Sequence, residues 1–127
     1  MTHTILLVDD SRTMRAVLRV YLMGATYEFI DAEDAARALD ILRLVPVSLI
    51  IVDVNMPEMD GISFVRRVRA SDRPAVRDVP IILITSDKAD DLPAKSADAR
   101  ADAFLTKPVK PEVIAQIVRD LLADKAT

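Results

Sequence analysis

Four side chains capable of chemistry follow three separate apolar runs of the chain. Asp9 and Asp10 come directly after the first run, Asp53 after the second and Lys107 after the third. Runs of this length are typical of buried parallel strands, and in an open parallel sheet ligands bind outside the carboxyl ends of the strands. We therefore expect three carboxylates and one ammonium group to meet in one crevice. The three runs are residues 5–8, 49–52 and 103–106.

These residue types predict a site for a divalent cation and a phosphoryl group. Three carboxylates in a partly desolvated site repel one another, because each charge disfavours ionisation of its neighbours. A doubly charged cation together with Lys107 would bring the formal charge of the four side chains to zero. Hard oxygen ligands suit Mg²⁺, with Mn²⁺ as the alternative, better than zinc or copper. Asp53 is then placed to act as a carboxylate nucleophile that forms an aspartyl phosphate.

Composition narrows the class of protein. The 127 residues suit one domain, which we expect to span residues 1–127 with no output domain. A net charge of −3 argues against a nucleic-acid partner. The chain has no cysteine, which excludes disulfides and thiolate catalysis. Arginines do cluster locally, and we interpret them as solvated helix faces; they are Arg12, Arg15, Arg19, Arg66, Arg67 and Arg69.

The sequence also predicts where the protein works. Its first residues lack the basic and apolar regions of a signal peptide, and no apolar stretch approaches the length of a membrane span. We therefore expect a cytoplasmic protein with no membrane partner.

Apolar runs alternate with segments of helical period, which predicts an α/β fold built around a parallel sheet. Five strands and five helices result, with both faces of the sheet covered. Residues 69–80 are polar, contain two prolines and are interpreted as a surface connection. Residues 87–100 form a helix that should be weakly anchored, because Leu92 is its only large aliphatic residue.

With these residues and this predicted fold, the chain resembles the receiver domain of two-component response regulators. Within that family, residues 9–15 are most similar to the single-domain chemotaxis type, the CheY-like receivers. This resemblance implies the flavodoxin-like, doubly wound sheet with strand order 2-1-3-4-5. The similarity rests on the acidic pair Asp9-Asp10, the loop of residues 53–61, Thr85, the segment 104–108, and the 22-residue separation of Lys107 from Thr85.

The resemblance implies a role for each site residue. Asp53 would accept a phosphoryl group from a sensor histidine kinase, a phosphotransferase or a small donor such as acetyl phosphate. Asp10 and Asp53 would bind Mg²⁺ through their side chains, Asp9 through a water, and Asn55 through its backbone carbonyl. Lys107 would neutralise charge and precede a cis proline.

The resemblance also implies a switch. The Thr85 hydroxyl would move toward the added phosphoryl group, and the Phe104 ring would then turn inward. The surface of the fourth helix, fifth strand and fifth helix would change for a downstream target protein, with a flagellar motor switch component as one candidate. Asn55 and Asp87 would flank the path of a hydrolytic water, which predicts a short-lived phosphorylated state.

Several positions depart from the family pattern. Arg100 stands where a glycine is usual, so we expect a different turn into the fifth strand. Phe104 replaces a tyrosine and lacks its hydroxyl. Ser86 stands where alanine is common, and Lys110 where a capping Ser or Thr is frequent. None of these changes removes the phosphorylation chemistry.

Other functions remain open at this stage. The nearest is a phosphorelay intermediate, which passes its phosphoryl group to a histidine on another protein. An aspartyl-phosphate hydrolase would need a second acid at position 55 and a cap domain, and a flavodoxin would need a Gly-rich phosphate loop where Asp9 and Asp10 stand. We therefore expect a signalling phosphoacceptor rather than an enzyme with external substrates.

Overall fold

A computed structural model describes residues 2–86 and 90–126 of the chain. Within these ranges, five strands alternate with six helices. The strands are β1 (His3–Val8), β2 (Tyr27–Ala32), β3 (Leu49–Asp53), β4 (Ile81–Thr85) and β5 (Ala103–Thr106). The helices are α1 (Arg12–Tyr21), α2 (Ala35–Leu44), α3 (Gly61–Arg69), α4 (Pro74–Arg77), α5 (Leu92–Asp98) and α6 (Pro111–Ala126).

The strands form one parallel sheet in the order β2-β1-β3-β4-β5. This order confirms the flavodoxin-like arrangement. The central strands β3 and β4 are buried along their whole length, as expected for continuous apolar runs covered on both faces. Because the order reverses at β1, the ends of β1 and β3 lie side by side at the point where such sheets bind ligands.

Helices cover both faces of the sheet, as the alternation of elements predicts. Helices α1 and α6 pack on one face, where successive strands contribute every second residue. Helices α2, α3 and α5 pack on the other. The first core contains Ile5, Leu7, Leu49, Ile51, Ile82 and Ile84 with Leu18, Leu22, Ile114, Val118 and Leu122. The second contains Leu6, Val8, Ile50, Val52, Ile81 and Leu83 with Ala38, Leu42, Phe64, Val65, Val68 and Leu92.

Polar side chains fix the start of the first three long helices. Ser11, Asp34 and Asp60 each accept a hydrogen bond from the backbone N–H three residues ahead. These caps satisfy N–H groups that have no partner within the helix. Ser11 and Asp60 therefore set where the chain turns away from the carboxyl ends of β1 and β3.

The expectation of five helices was wrong by one, because α4 lies inside the predicted surface connection. Pro74 occupies the first turn of α4, where a missing N–H costs nothing. Four residues are too few to show a helical period, so this helix could not be predicted from periodicity. Its last carbonyl, that of Arg77, accepts a hydrogen bond of 2.7 Å from Arg69.

The end of α5 carries a strained residue. Arg100 has a φ of 70°, in the left-handed region that favours glycine. The turn into β5 thus keeps the backbone shape of a glycine turn, and the expectation of a different turn was wrong. In the part of the chain described here, no helix is both long and apolar enough to cross a membrane.

Candidate functional site

Three carboxylates converge at the carboxyl edge of the sheet. Asp9 follows β1, Asp10 is the next residue and Asp53 ends β3. One oxygen from each side chain lies within 4.8 Å of the others. Asp9 and Asp53 are buried, with 3% and 6% of their surface exposed, whereas Asp10 is exposed. The site is therefore a shallow acidic pocket that opens to solvent on the Asp10 side.

Lys107 reaches this pocket from the end of β5. Its Nζ lies 3.7 Å from Asp53 Oδ2 and 3.9 Å from Asp9 Oδ2, so one ammonium group is shared by two carboxylates. The Lys107-Pro108 peptide bond is cis, as the resemblance implies. With one cation against three carboxylates, the pocket keeps a formal charge of −2.

Burial governs the ionisation of the two inner carboxyl groups. Desolvation raises the pKa of Asp53 above its ordinary value, and the Lys107 ammonium opposes this rise without cancelling it. Desolvation also raises the pKa of Asp9, against the hydrogen bond that Asp9 accepts from the Ser11 backbone. The negative charge of Asp53 adds to the rise at Asp9. A nearby cation would oppose the rise in both pKa values, because opposite charge favours the ionised carboxylates.

The donor set fits a hard divalent cation. It consists of carboxylate oxygens from two adjacent strand ends, with no sulfur or imidazole ligand among the described residues of the cluster. Magnesium is usually held by one or two carboxylates plus waters, and the exposed Asp10 leaves space for water. The sequence-based assignment of Asp9, Asp10 and Asp53 to a metal site therefore agrees with the geometry of this pocket.

Gly61 allows the loop after Asp53 to lie close to the start of α3. A Cβ atom at this position would lie 2.4 Å from the Asp53 carbonyl oxygen and 2.8 Å from the Val54 Cα. The Gly61 N–H donates to the Val54 carbonyl at 2.9 Å. Glycine is therefore required at position 61 because the backbone after Asp53 leaves no room for a side chain.

Thr85 is fully buried at the end of β4 and contacts the site through Asn55. The Asn55 side-chain amide donates to Thr85 Oγ1 at 3.2 Å, and the Asn55 backbone N–H donates to Asp53 Oδ1 at 3.3 Å. Thr85 also accepts a 2.7 Å hydrogen bond at its carbonyl from the Lys107 N–H. Asn55 thus touches both the carboxylate and the threonine, whereas the predicted role of its carbonyl as a metal ligand stays a prediction.

Phe104 and Asp87 are the two remaining candidate residues from the sequence. Phe104 is half-buried and packs against the core that includes Ala99 and Leu92. Its rotation on activation stays a prediction. Asp87 lies outside the described residues, so its proposed place beside a hydrolytic water is untested.

Sequence reasoning missed two arginines. Arg15 and Arg69 were interpreted as part of solvated helix faces, but their side chains are only 11% and 9% exposed. Arg15 donates to the Asp9 carbonyl oxygen and pairs with Asp31. The burial of a long charged side chain depends on which acid lies opposite it, and neither helical period nor composition carries that information.

Comparison with known proteins agrees with this geometry. A family profile described as the response regulator receiver domain matches residues 5–119. The chain therefore belongs to the receiver domain family of response regulators. The matched range includes every residue of the acidic cluster as well as Asn55, Thr85 and Lys107.

Individual proteins that are similar in sequence or structure include response regulators and CheY proteins of chemotaxis. The chain is 34% identical to the two-component response regulator ORR6 of rice over 89% of its length, and it spans 67% of that protein. It is 32% identical to a chemotaxis protein CheY homolog of Campylobacter jejuni, covering 93% of this chain and 91% of the relative. The chemotaxis response regulator CheY4 of Vibrio cholerae superposes with a TM-score of 0.84 at 30% identity, over 95% of this chain and 99% of that one.

Proposed function

We propose that this protein is a phosphorylation-switched response regulator in which Asp53 accepts a phosphoryl group from a histidine kinase or phosphotransferase. The observation that carries the proposal is the position of Asp53, buried at the end of β3 with Lys107 3.7 Å away and two further carboxylates at its side. Membership of the receiver family supports the same conclusion. The protein then acts by contacts with a downstream protein and not by turnover of external substrates.

The transfer itself is a displacement at phosphorus. A carboxylate oxygen of Asp53 forms a bond to phosphorus while the bond from phosphorus to the donor imidazole nitrogen breaks. The imidazole leaves with the electron pair and takes up a proton. Such transfers depend on positioning and charge neutralisation more than on covalent help, and Lys107 provides one positive charge beside the accepting oxygen.

Asp9, Asp10 and Asp53 would hold the Mg²⁺ that this chemistry needs. When bound, Mg²⁺ would supply further charge neutralisation for the phosphoryl oxygens. Burial raises the pKa of the Asp53 carboxyl group. Positive charge near Asp53 would oppose that rise and favour its ionised form. Its nucleophilic form is therefore favoured when the pocket is filled.

The Asn55 amide holds the Thr85 hydroxyl by a hydrogen bond before any phosphoryl group is added. Thr85 Oγ1 already accepts a hydrogen bond from Asn55, which also contacts Asp53. A phosphoryl group on Asp53 adds about 1.5 to 2 negative charges and three acceptor oxygens, to which the Thr85 hydroxyl can donate. We propose that Thr85 then moves toward the phosphoryl group and alters the surface formed by α5, β5 and α6.

A phosphodonor experiment tests the assignment of Asp53. The protein is incubated with acetyl phosphate and Mg²⁺, and the intact mass is measured. We expect one phosphoryl adduct in the wild-type protein and none in Asp53→Asn. An adduct that persists in Asp53→Asn, or is absent from both proteins, would contradict the proposal.

A second experiment separates binding from chemistry. Beryllofluoride with Mg²⁺ imitates a phosphorylated carboxylate, and its binding can be followed by NMR of backbone amides. We expect amide shifts near Thr85 and Phe104 in the wild type, and loss of these shifts in Asp53→Asn. Shifts confined to the pocket would support phosphoryl binding but contradict the proposed switch.

A further inference from the structure

Asp9 is held on three sides by hydrogen bonds. Its backbone N–H donates to the Ala32 carbonyl of β2 at 3.1 Å, and its Oδ1 accepts from the Ser11 N–H at 2.8 Å. Its own carbonyl oxygen accepts a hydrogen bond from the Arg15 guanidinium. The remaining carboxylate oxygen, Oδ2, is the one that faces Lys107. The acidic turn after β1 is therefore set by its neighbours before any cation binds.

Arg15 is itself anchored from a second strand. Its Nε lies 3.2 Å from Asp31 Oδ2, on β2. Arg19, one turn farther along α1, binds the other oxygen of the same carboxylate at 2.5 Å, and its guanidinium lies 5.3 Å from the centre of the Phe29 ring. Arg15 and Arg19 thus share Asp31, but only Arg15 also reaches Asp9.

The contact with a carbonyl oxygen has a geometric consequence. The atoms of a peptide unit lie in one plane, so a donor that fixes the Asp9 carbonyl also fixes the N–H and Cα of Asp10. One guanidinium therefore fixes the orientation of the peptide unit that joins the two acidic residues. The planar fork of arginine allows it to bind Asp31 and Asp9 at once, which a lysine ammonium does less well.

We infer that Arg15 is a positioning residue for the divalent-cation site, acting by orienting the Asp9-Asp10 turn while Asp31 anchors it. The inference deepens the proposed function and depends on it. Residues that orient metal ligands typically change metal affinity by 10–100-fold when they are removed. Arg15 is not itself a ligand, because its guanidinium carries no acceptor.

The sign of the effect distinguishes positioning from simple charge. If Arg15 acted only as a nearby positive charge, its removal would strengthen cation binding, because like charges repel. If Arg15 positions the turn, its removal weakens cation binding despite the lost repulsion. The two roles therefore predict changes in opposite directions.

The test measures the Mg²⁺ dissociation constant of the full chain without phosphorylation, by calorimetry or amide NMR. We expect Arg15→Ala to weaken Mg²⁺ binding by about tenfold or more. Arg19→Ala is the matched control, since it removes the other Asp31 partner without touching Asp9, and should change the dissociation constant less than twofold. Arg15→Lys should recover part of the affinity, and Asp31→Asn should lie between wild type and Arg15→Ala.

Folding is checked on the same samples by urea denaturation. If Arg15→Ala does not fold, Arg15→Lys and Asp31→Asn carry the comparison. Equal or tighter Mg²⁺ binding in Arg15→Ala, or equal weakening in Arg19→Ala, would overturn the positioning role. If the wild type itself binds no Mg²⁺, the proposed function fails, whereas wild-type binding with an unaffected Arg15→Ala removes only this inference.

Discussion

The two ends of the sheet deal with buried charge in opposite ways. At the carboxyl end, Asp9 and Asp53 share one ammonium group at 3.7–3.9 Å and their pKa values are raised by burial. At the amino end, the Arg69 guanidinium binds the Asp102 carboxylate at 2.9 Å. It also donates to three carbonyl oxygens, those of Arg77, Val79 and Arg100, at 2.6–3.0 Å.

The contacts of Arg69 stabilise the amino end of the sheet, whereas the carboxyl end forms the candidate functional site. Burial lowers the pKa of Arg69 and the Asp102 carboxylate opposes this effect, while four of the five guanidinium N–H groups donate to an oxygen acceptor. The carboxyl end instead keeps surplus negative charge, which costs stability and which a bound cation would offset. Functional sites commonly break local rules of charge satisfaction in this manner.

Removal of Arg69 should have the largest effect on stability. Arg69→Ala would leave three backbone carbonyls without their guanidinium donor and would leave Asp102 with only the Ile81 N–H among the contacts of the described residues, and we expect a loss of about 3 kcal/mol in the free energy of unfolding. Urea denaturation measures this change. The control is Arg67→Ala, an exposed position on the same helix, which should stay within about 0.5 kcal/mol. Similar losses in both variants would contradict the conclusion that the buried contacts of Arg69 stabilise the amino end of the sheet.

Substitution of Gly61 should damage the carboxyl end specifically. Gly61→Ala places a Cβ 2.4 Å from the Asp53 carbonyl oxygen, so the loop must move, at a cost of about 2 kcal/mol. The rate of phosphorylation by acetyl phosphate should fall with it. Gly24→Ala is the control, since Gly24 has a φ of 95° but open space around it. That variant should lose stability through backbone strain while its phosphorylation rate is unchanged.

Neutralising Asp53 should stabilise the metal-free protein. Because the folded-state pKa values of Asp9 and Asp53 are raised, the folded protein binds more protons than the unfolded chain above the ordinary carboxyl pKa. The contribution of these two groups to stability is therefore lost as pH rises from about 4 through the raised values. We expect Asp53→Asn to gain roughly 1 kcal/mol at pH 7 in the presence of a chelator.

Thermal unfolding at several pH values checks this expectation. The gain should shrink as pH falls through the raised pKa values, because the wild-type carboxyl groups then take up protons, and Mg²⁺ should stabilise the wild type more than Asp53→Asn. Asp40→Asn is a suitable control because Asp40 is exposed and forms an ion pair with Arg43, away from the acidic cluster. A gain that is independent of pH would contradict a titration origin.

Relief of the strained turn should have the smallest effect. Arg100 adopts a φ of 70°, which costs an L-residue about 1–2 kcal/mol relative to glycine. Arg100→Gly recovers that strain but loses the 3.2 Å hydrogen bond from Arg100 to the Arg69 carbonyl and gives the unfolded chain more freedom. We expect a net stabilisation below about 1 kcal/mol, measured as a small rise in Tm. A loss of stability would show that the side chain matters more than the backbone strain.

The sequence predicted those parts of the molecule that depend on chain-local patterns. Continuous apolar runs identify the buried strands, and the residues after them must share one edge of a parallel sheet, so Asp9, Asp53 and Lys107 could be placed together. The flavodoxin-like strand order came from resemblance to a family and is confirmed by the structure.

The features that escaped prediction are those set by tertiary contacts. Arg15 pairs with Asp31 and Arg69 with Asp102, and both partners are distant in sequence. Nothing in the local sequence of either arginine indicates which acid it will contact in the fold. The Asn55 contact with Thr85 joins two strand ends and likewise follows from the fold alone. The helix α4 is too short for a periodic signal.

The hydrogen bond from the Lys107 N–H to the Thr85 carbonyl links the ends of β4 and β5 directly. Lys107, whose ammonium group lies beside Asp53, and Thr85 are thus tethered through their main chains. This hydrogen bond extends the parallel pairing of β4 and β5 beyond the ends of both strands. The acidic cluster and the α5-β5-α6 surface therefore share a continuous backbone connection.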